Sequence, residues 1–202
     1  MKTVNRMAVV HDELCNGCGA CSRVCPVIAI DFKKAEVGRK AFVDIEICQG
    51  CNICVSRCPQ KAMTLEPRSE FKNIGISDIV VDKAIEELCE AAHMYPEQVV
   101  CFCHRVQAKE IAKAVLLGAK TPEDVSRMTG ARAGCGVLCI TGVIRLLQAA
   151  GVELAKAPGN QWYGKMATIW EIPEAVMEKY GKQYYLKDDQ EYMKKMFPGG
   201  DK

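Results

Sequence analysis

The chain has 202 residues, 49% hydrophobic and 26% charged, the profile of a soluble globular protein of one or two domains. A formal net charge of +2 is nearly balanced and argues against a nucleic-acid surface or an acidic tail. Thirteen cysteines exceed what an ordinary intracellular chain carries. A secreted disulfide scaffold is the rival reading, but Met1-Lys2-Thr3-Val4-Asn5-Arg6 contains no apolar signal run. The most apolar stretch, Cys135 to Val152, contains Arg145 and Gln148 and is short for a membrane span, so no direct membrane insertion is expected. A reducing, cytoplasmic location follows, with metal as the fate of the thiols.

Residues 1–66 contain the same cysteine run twice. Cys15, Cys18, Cys21 and Cys25 precede Pro26, and after 22 residues Cys48, Cys51, Cys54 and Cys58 precede Pro59. This run resembles that of bacterial ferredoxins that hold two [4Fe-4S] clusters. Three thiolates spaced every third residue on a curling loop can reach three corners of one cubane. The fourth is turned away by the proline toward the other cluster. The resemblance assigns Cys15, Cys18, Cys21 and Cys58 to one cluster, and Cys48, Cys51, Cys54 and Cys25 to the second. Zinc fits poorly, because four-cysteine zinc sites usually come as two separated pairs. Short alternating pieces at 7–10, 28–32, 41–45 and 63–66 suit small hairpins around the cysteine loops. With nine Lys and Arg against seven Asp and Glu, residues 1–66 depart from the acidic balance of freely diffusing ferredoxins, which favours a unit fixed in a complex. Lys33, Lys34, Arg39 and Lys40 read as a solvated hairpin tip or as a surface that steers an acidic partner.

Residues 67–98 read as a linker with one helix. Ser77 is its expected N-cap, Val81, Ile85, Leu88 and Ala92 share one face, and His93-Met94-Tyr95-Pro96 ends it. Cys89 lies on this helix and is expected to be a small buried hydrophobe.

A third cysteine set follows: Cys101 and Cys103, then 31 residues, then Cys135 and Cys139. Between them a helix is predicted from Gln107 to Leu117, stopping at Gly118. A second opens on Thr121-Pro122-Glu123-Asp124 and closes at Gly130, and a third runs from about Gly136 to Ala150 with Val137, Ile140, Ile144 and Leu147 on one face. Residues 99–151 resemble the bacterioferritin-associated-ferredoxin-like [2Fe-2S] domain. The likeness rests on Cys101-Phe102-Cys103, Glu110-Ile111 to Gly118, Thr121 to Thr129, and Gly134-Cys135-Gly136. It implies that Cys101, Cys103, Cys135 and Cys139 hold a [2Fe-2S] cluster, and it associates the domain with FAD-dependent oxidoreductases. Here three residues separate the second pair, where the family spacing is two or four. Zinc on two close pairs is the alternative for this site. His104 is expected at the surface or in a hydrogen bond, and His11 and His93 have no ligand spacing.

Residues 152–202 hold eight of the thirteen aromatic residues: Trp162, Tyr163, Trp170, Tyr180, Tyr184, Tyr185, Tyr192 and Phe197. Pro158-Gly159-Asn160 marks a break, and short helices are predicted over 173–180 and 188–196. This aromatic tail either wraps its own chain or docks a partner.

The expected fold is α+β: a small ferredoxin-like two-cluster domain, a linker helix, an all-α [2Fe-2S] helical domain and an extended aromatic C-terminal tail. No nucleotide loop, nucleophile elbow or paired carboxylate stands out, so no catalytic site of its own is expected. The resemblances imply an electron-transfer subunit of a larger, flavin-containing oxidoreductase, with a flavoprotein or other subunits as partners in a hetero-oligomer. The alternatives are an iron-mobilising or redox-sensing module on a ferritin-like partner, and an assembly protein whose clusters never change oxidation state.

Overall fold

The two ends of the first 74 residues close on each other. Strand β1 (Lys2–Val10) pairs antiparallel with β4 (Met63–Ile74), running from Lys2 opposite Ile74 to Val10 opposite Met63, with a bulge between Val4 and Arg6. Between them lie helix α1 (Ala20–Val24), the hairpin of β2 (Ile30–Lys34) and β3 (Arg39–Val43), and helix α2 (Ile53–Arg57). The computed structural model describes residues 1–78, 80–154, 163, 169 and 172–196.

The cysteine repeat is a repeat of backbone conformation, with each feature recurring 33 positions on, as Cys48 does from Cys15. Gly19 and Asn52, both left-handed, start α1 and α2. Cys25 and Cys58 end those helices in the same extended conformation, which is where the following proline turns the chain. Gly17 and Gly50 both have positive φ, and a Cβ on either would run into the backbone of Arg39 or Arg6. The core of this half is thin: Ala8, Val27, Ala29, Ile30, Ala41 and Met63, together with Cys21, Cys25, Cys48 and Cys54. Strand β4 runs to Ile74, eight residues past the boundary expected at Glu66, because residues 67–74 pair with the start of β1.

Helix α3 (Asp82–Ala91) follows, capped by the extended Val81 without a side-chain bond. The expected cap Ser77 lies outside it, and Val81 is 69% exposed, so the buried face begins at Ile85 and continues through Leu88, Cys89 and Ala92. Cys89 is fully buried at 0% exposure, as expected of a small core residue. The next segment is not purely helical. A two-stranded ribbon, β5 (Val99–Cys101) with β6 (Val106–Gln107), brings the chain back before α4 (Ala108–Leu116) and replaces the expected all-α arrangement. Cys101 ends β5 and Cys103 lies on the turn that follows it. The Gln107 N–H donates to Glu110 Oε2 at 2.8 Å at the start of α4.

Helix α5 (Pro122–Thr129) has the predicted start: the Asp124 N–H donates to Thr121 Oγ1 at 3.1 Å, the Thr121 N–H donates to Asp124 Oδ2 at 3.0 Å, and Gly130 ends the helix with φ +75°. Helix α6 (Ile140–Ala149) begins four residues later than expected, since Cys135 to Cys139 form turns with Gly136 at φ +74°. Val137 and Leu138 are consequently exposed. Helices α3 to α6 share a core that includes Ile111, Val125, Val143, Leu146 and Leu147.

Met1–Gly164 forms one unit and Lys165–Lys202 a second. The second contains α7 (Glu174–Tyr180) and α8 (Leu186–Met196), with Met177 buried and the Tyr180 and Tyr184 rings 6.2 Å apart. Tyr184, Tyr185 and Tyr192 are exposed. Tyr163 belongs to the first unit, where it packs on Ile140 and Ile144. The expected break at Pro158-Gly159-Asn160, and Trp162, Trp170 and Phe197, lie outside the described residues. Among the described residues no helix is long and apolar enough to cross a membrane.

Candidate metal centres

The first unit holds two small cavities, and the cysteines around them come from both halves of the repeat. One is lined by Cys15, Cys18, Cys21 and Cys58. The other is lined by Cys25, Cys48, Cys51 and Cys54. In both, three thiols come from one run and the fourth from the other, which the proline after Cys25 and Cys58 makes possible. Among the described residues, no three Cys, His, Asp or Glu side chains converge on a point suited to a single ion.

Backbone N–H groups face the sulfurs in repeat-related pairs. Ala29 donates to Cys25 Sγ at 3.2 Å and Ala62 to Cys58 Sγ at 3.3 Å, while Ala8 donates to Cys48 Sγ and Ala41 to Cys15 Sγ, each at 3.5 Å. All four donors are buried alanines. Such donors favour the anionic form of a sulfur. Burial works against them in the metal-free thiols: it pushes Cys51 up to about 11 and Cys54 up to about 12, and it raises Cys21 and Cys25. These thiols are therefore protonated near neutral pH until metal displaces the protons.

Three of the four basic residues near the hairpin tip have structural partners that spacing did not reveal. Arg39 Nε donates to the Gly17 carbonyl at 3.0 Å and its guanidinium stacks 4.2 Å over Phe32. Lys40 Nζ donates to the Cys15 carbonyl, and Lys33 pairs with Asp12 at 3.0 Å. Arg39 and Lys40 thus brace the Cys15–Cys18 loop.

The third set also comes together. The Cys135 N–H donates to Cys103 Sγ at 3.4 Å on the exposed side, and Cys101 and Cys139 are hydrogen-bonded on the buried side. That bond holds the Cys101 thiol below the ordinary range and the Cys139 thiol above it. The backbone N–H of Arg132, itself at φ +67°, reaches both sulfurs. Turns rather than a helix span Cys135 to Cys139.

Behind this site lies a buried triad absent from the sequence expectations. Arg132 Nη1 donates to Glu123 Oε1 at 2.8 Å, and the Tyr163 hydroxyl, 2.6 and 2.5 Å from the two Glu123 oxygens, donates to that carboxylate. Arg132 also lies 4.9 Å from the Tyr163 ring centre. The only signal was Glu123, an acid in the first turn of α5, which reads as a helix-dipole partner rather than as a buried anion.

Two cavities ringed by crossed cysteine quartets, with a third quartet on a helical frame, define an iron-sulfur protein. Residues 14–62 match the family model of the 4Fe-4S dicluster domain, and residues 99–149 match that of the BFD-like [2Fe-2S] binding domain. The chain is a fusion of these two domains and carries two [4Fe-4S] clusters and one [2Fe-2S] cluster. No curated protein matches the chain. The domains point to electron transfer, and domains of this kind typically sit in multi-subunit complexes.

Proposed function

We propose that the protein is the electron-transfer subunit of a larger, flavin-containing oxidoreductase in a reducing, cytoplasmic setting, passing single electrons between a flavoprotein and a second acceptor. In this reading Cys15, Cys18, Cys21 and Cys58 hold one [4Fe-4S] cluster, and Cys48, Cys51, Cys54 and Cys25 hold the other. Cys101, Cys103, Cys135 and Cys139 hold the [2Fe-2S] cluster. Bound clusters supply a one-electron change of iron valence, which a two-electron donor such as a flavin needs if its electrons are to leave singly. The alanine N–H groups hold the thiolate sulfurs in place and offset their charge. Buried apolar side chains around Cys25, Cys48 and Cys54 exclude water.

The single observation that carries the reading is the crossing of the two quartets, each cavity taking three cysteines from one run and one from the other. Anaerobic purification should give a brown protein with roughly ten irons per chain. Stepwise reduction followed by absorbance and low-temperature EPR should show three reversible one-electron centres, and affinity purification should recover a flavoprotein. A preparation whose centres stay unchanged under strong reductant would overturn the proposal. Recovery of a ferritin shell instead of a flavoprotein would favour iron mobilisation.

A further inference from the structure

The helical domain meets the dicluster domain on one side. From α5, Arg127 donates through Nε and Nη2 to the Val27 carbonyl at 3.1 and 2.9 Å, and Gln49 Nε2 returns a bond to the Ser126 carbonyl at 2.8 Å. Val27 and Gln49 both line the cavity of Cys25, Cys48, Cys51 and Cys54. Arg132 spans the remaining gap. Its backbone N–H reaches the sulfurs of Cys101 and Cys139, while Nη1 approaches the carbonyl of Pro26, the residue after Cys25, at 3.5 Å. Glu123 and Tyr163 hold that guanidinium in position. A separate cavity is lined by Gln49 and Cys51 of the dicluster domain together with His104 and Ala133 of the helical domain.

Both cysteine cavities are lined by the dicluster domain alone, but only the second has lining residues, Val27 and Gln49, in these hydrogen bonds to α5. Each outer set holds at least one exposed thiol, Cys18 in one and Cys103 and Cys135 in the other, beside buried ones, whereas the set between them holds none, with Cys51 half-buried and Cys25, Cys48 and Cys54 buried.

Resting on the ligand sets proposed above, we infer that the Cys48, Cys51, Cys54 and Cys25 centre is the middle of the relay, joined to the Cys101, Cys103, Cys135 and Cys139 centre through Arg132 and the α5 seam, with the Cys15, Cys18, Cys21 and Cys58 centre as the far terminus. Each step moves one electron: one centre is oxidised by one unit, its neighbour is reduced by one, no bond forms or breaks, and no proton moves. Arg132 and Gln49 act as positioning residues that keep the two domains in register. The exposed ends are where one-electron partners meet the relay, and the buried middle centre is kept from them.

The test is the spin relaxation of the reduced [2Fe-2S] centre, because a nearby paramagnet accelerates relaxation with a steep distance dependence. The holoprotein is reduced with dithionite, and the microwave power at half-saturation of the [2Fe-2S] signal is read in wild type, Cys51→Ala and Cys18→Ala. Loss of the middle centre in Cys51→Ala should lower that power at least fivefold, and loss of the terminal centre in Cys18→Ala should change it less than twofold. The reverse pattern, or no change in either, overturns the order. A double variant outside the ligand sets, Gln49→Ala with Arg127→Ala, covers the case in which a cysteine variant fails to fold. It should keep all three centres and lower the half-saturation power at least twofold, and an unchanged value overturns the seam's role. If iron content and reversible reduction of the three centres hold while relaxation points to Cys18, the order alone fails. If the centres themselves do not reduce, the functional proposal fails.

Discussion

Replacing Glu123 by Ala removes the anion from a buried triad, and its cost follows from what is left behind. Glu123 and Arg132 have side-chain exposures of 2% and 3%, with a 2.8 Å contact, so solvent cannot take over either charge. Breaking a buried pair by removing one partner costs about 3–5 kcal/mol, because the surviving charge stays buried and uncompensated. Tyr163→Phe deletes one hydroxyl donor to the carboxylate but keeps the ring beside Arg132, and should cost about 1.5–3 kcal/mol. For a unit of this size each kcal/mol lowers the melting temperature by roughly 2–4 °C, so Glu123→Ala should lower it by about 10 °C and Tyr163→Phe by about half that. The assay is anaerobic melting of the holoprotein, followed by helical circular dichroism and by cluster absorbance. All variants are melted at one scan rate, because cluster loss makes unfolding irreversible. Replacing Glu123 and Arg132 together by Leu and Met should recover most of the loss, since apolar replacement of a buried pair is often neutral or stabilising. A Glu123→Ala shift under about 3 °C, or no recovery in the double variant, would refute the view that an uncompensated charge sets the cost.

Cys25→Ala should remove the EPR signal of the centre formed by Cys48, Cys51 and Cys54 while leaving the centre of its own run intact, and Cys58→Ala should do the converse. Loss of only the local centre would mean that the ligation is not crossed. Gly17→Ala places a Cβ on a residue at φ +70° and against the Arg39 backbone, at a cost of about 2–3 kcal/mol. The Cys15, Cys18, Cys21 and Cys58 centre should then release iron to a chelator several-fold faster, with the other centres unaffected. Burial raises the thiols of Cys51 and Cys54 to about 11 and about 12, so binding of iron must displace their protons. Reconstitution should therefore become more favourable as pH rises from 6.5 to 8.5, with measurable proton release. In the iron-free chain the sign is opposite. Below the unfolded thiol value of about 8.5 neither state is ionised, and above it the unfolded chain ionises first, so that fold weakens as pH climbs toward 12.

The cysteine runs, the helix stops at Gly118 and Gly130, and the Thr121–Asp124 cap were legible because each rests on local chemistry: ligand spacing, left-handed backbone or a capping oxygen. What escaped was non-local. Nothing in the sequence near Arg132 marks it as spanning from the Cys101 site to Pro26, since its partners are 9 and 106 positions away. The ribbon at Val99 to Gln107 was missed because three-residue and two-residue strands carry too little alternation to show a period. The late start of α6 has a related cause. Val137 and Ile140 fit a helical face on paper, but the backbone between Cys135 and Cys139 is committed to the site, so Val137 is left exposed. Ser77 had the right chemistry for a cap but sat too far from the first buried position of α3.

The two halves of the first unit differ in what holds them together, and removal of iron should expose the difference. Around β1 to β4 the core consists of alanines, a few larger apolar residues and four cysteines, so much of its centre is ligand. Without iron the metal-sulfur bonds that tie these cysteines together are gone, and the small apolar core must hold the fold alone. Around α3 to α6 the core also includes Cys101 and Cys139, but most of it is aliphatic, with Ile111, Val125, Val143, Leu146 and Leu147 fully buried. Burying each such side chain contributes about 1.5–3 kcal/mol, independently of any cluster. The protein stripped of iron under reducing conditions should therefore keep most of its helical circular dichroism. In hydrogen exchange, amides of α4 and α6 should stay protected, while those pairing β1 with β4 should exchange within minutes. Equal protection of both sets would show that the small alanine-rich core is sufficient alone. Equal loss would show that the seam of Gln49, Arg127 and Arg132 couples the halves into one cooperative unit, so that the clusters stabilise the helices as well.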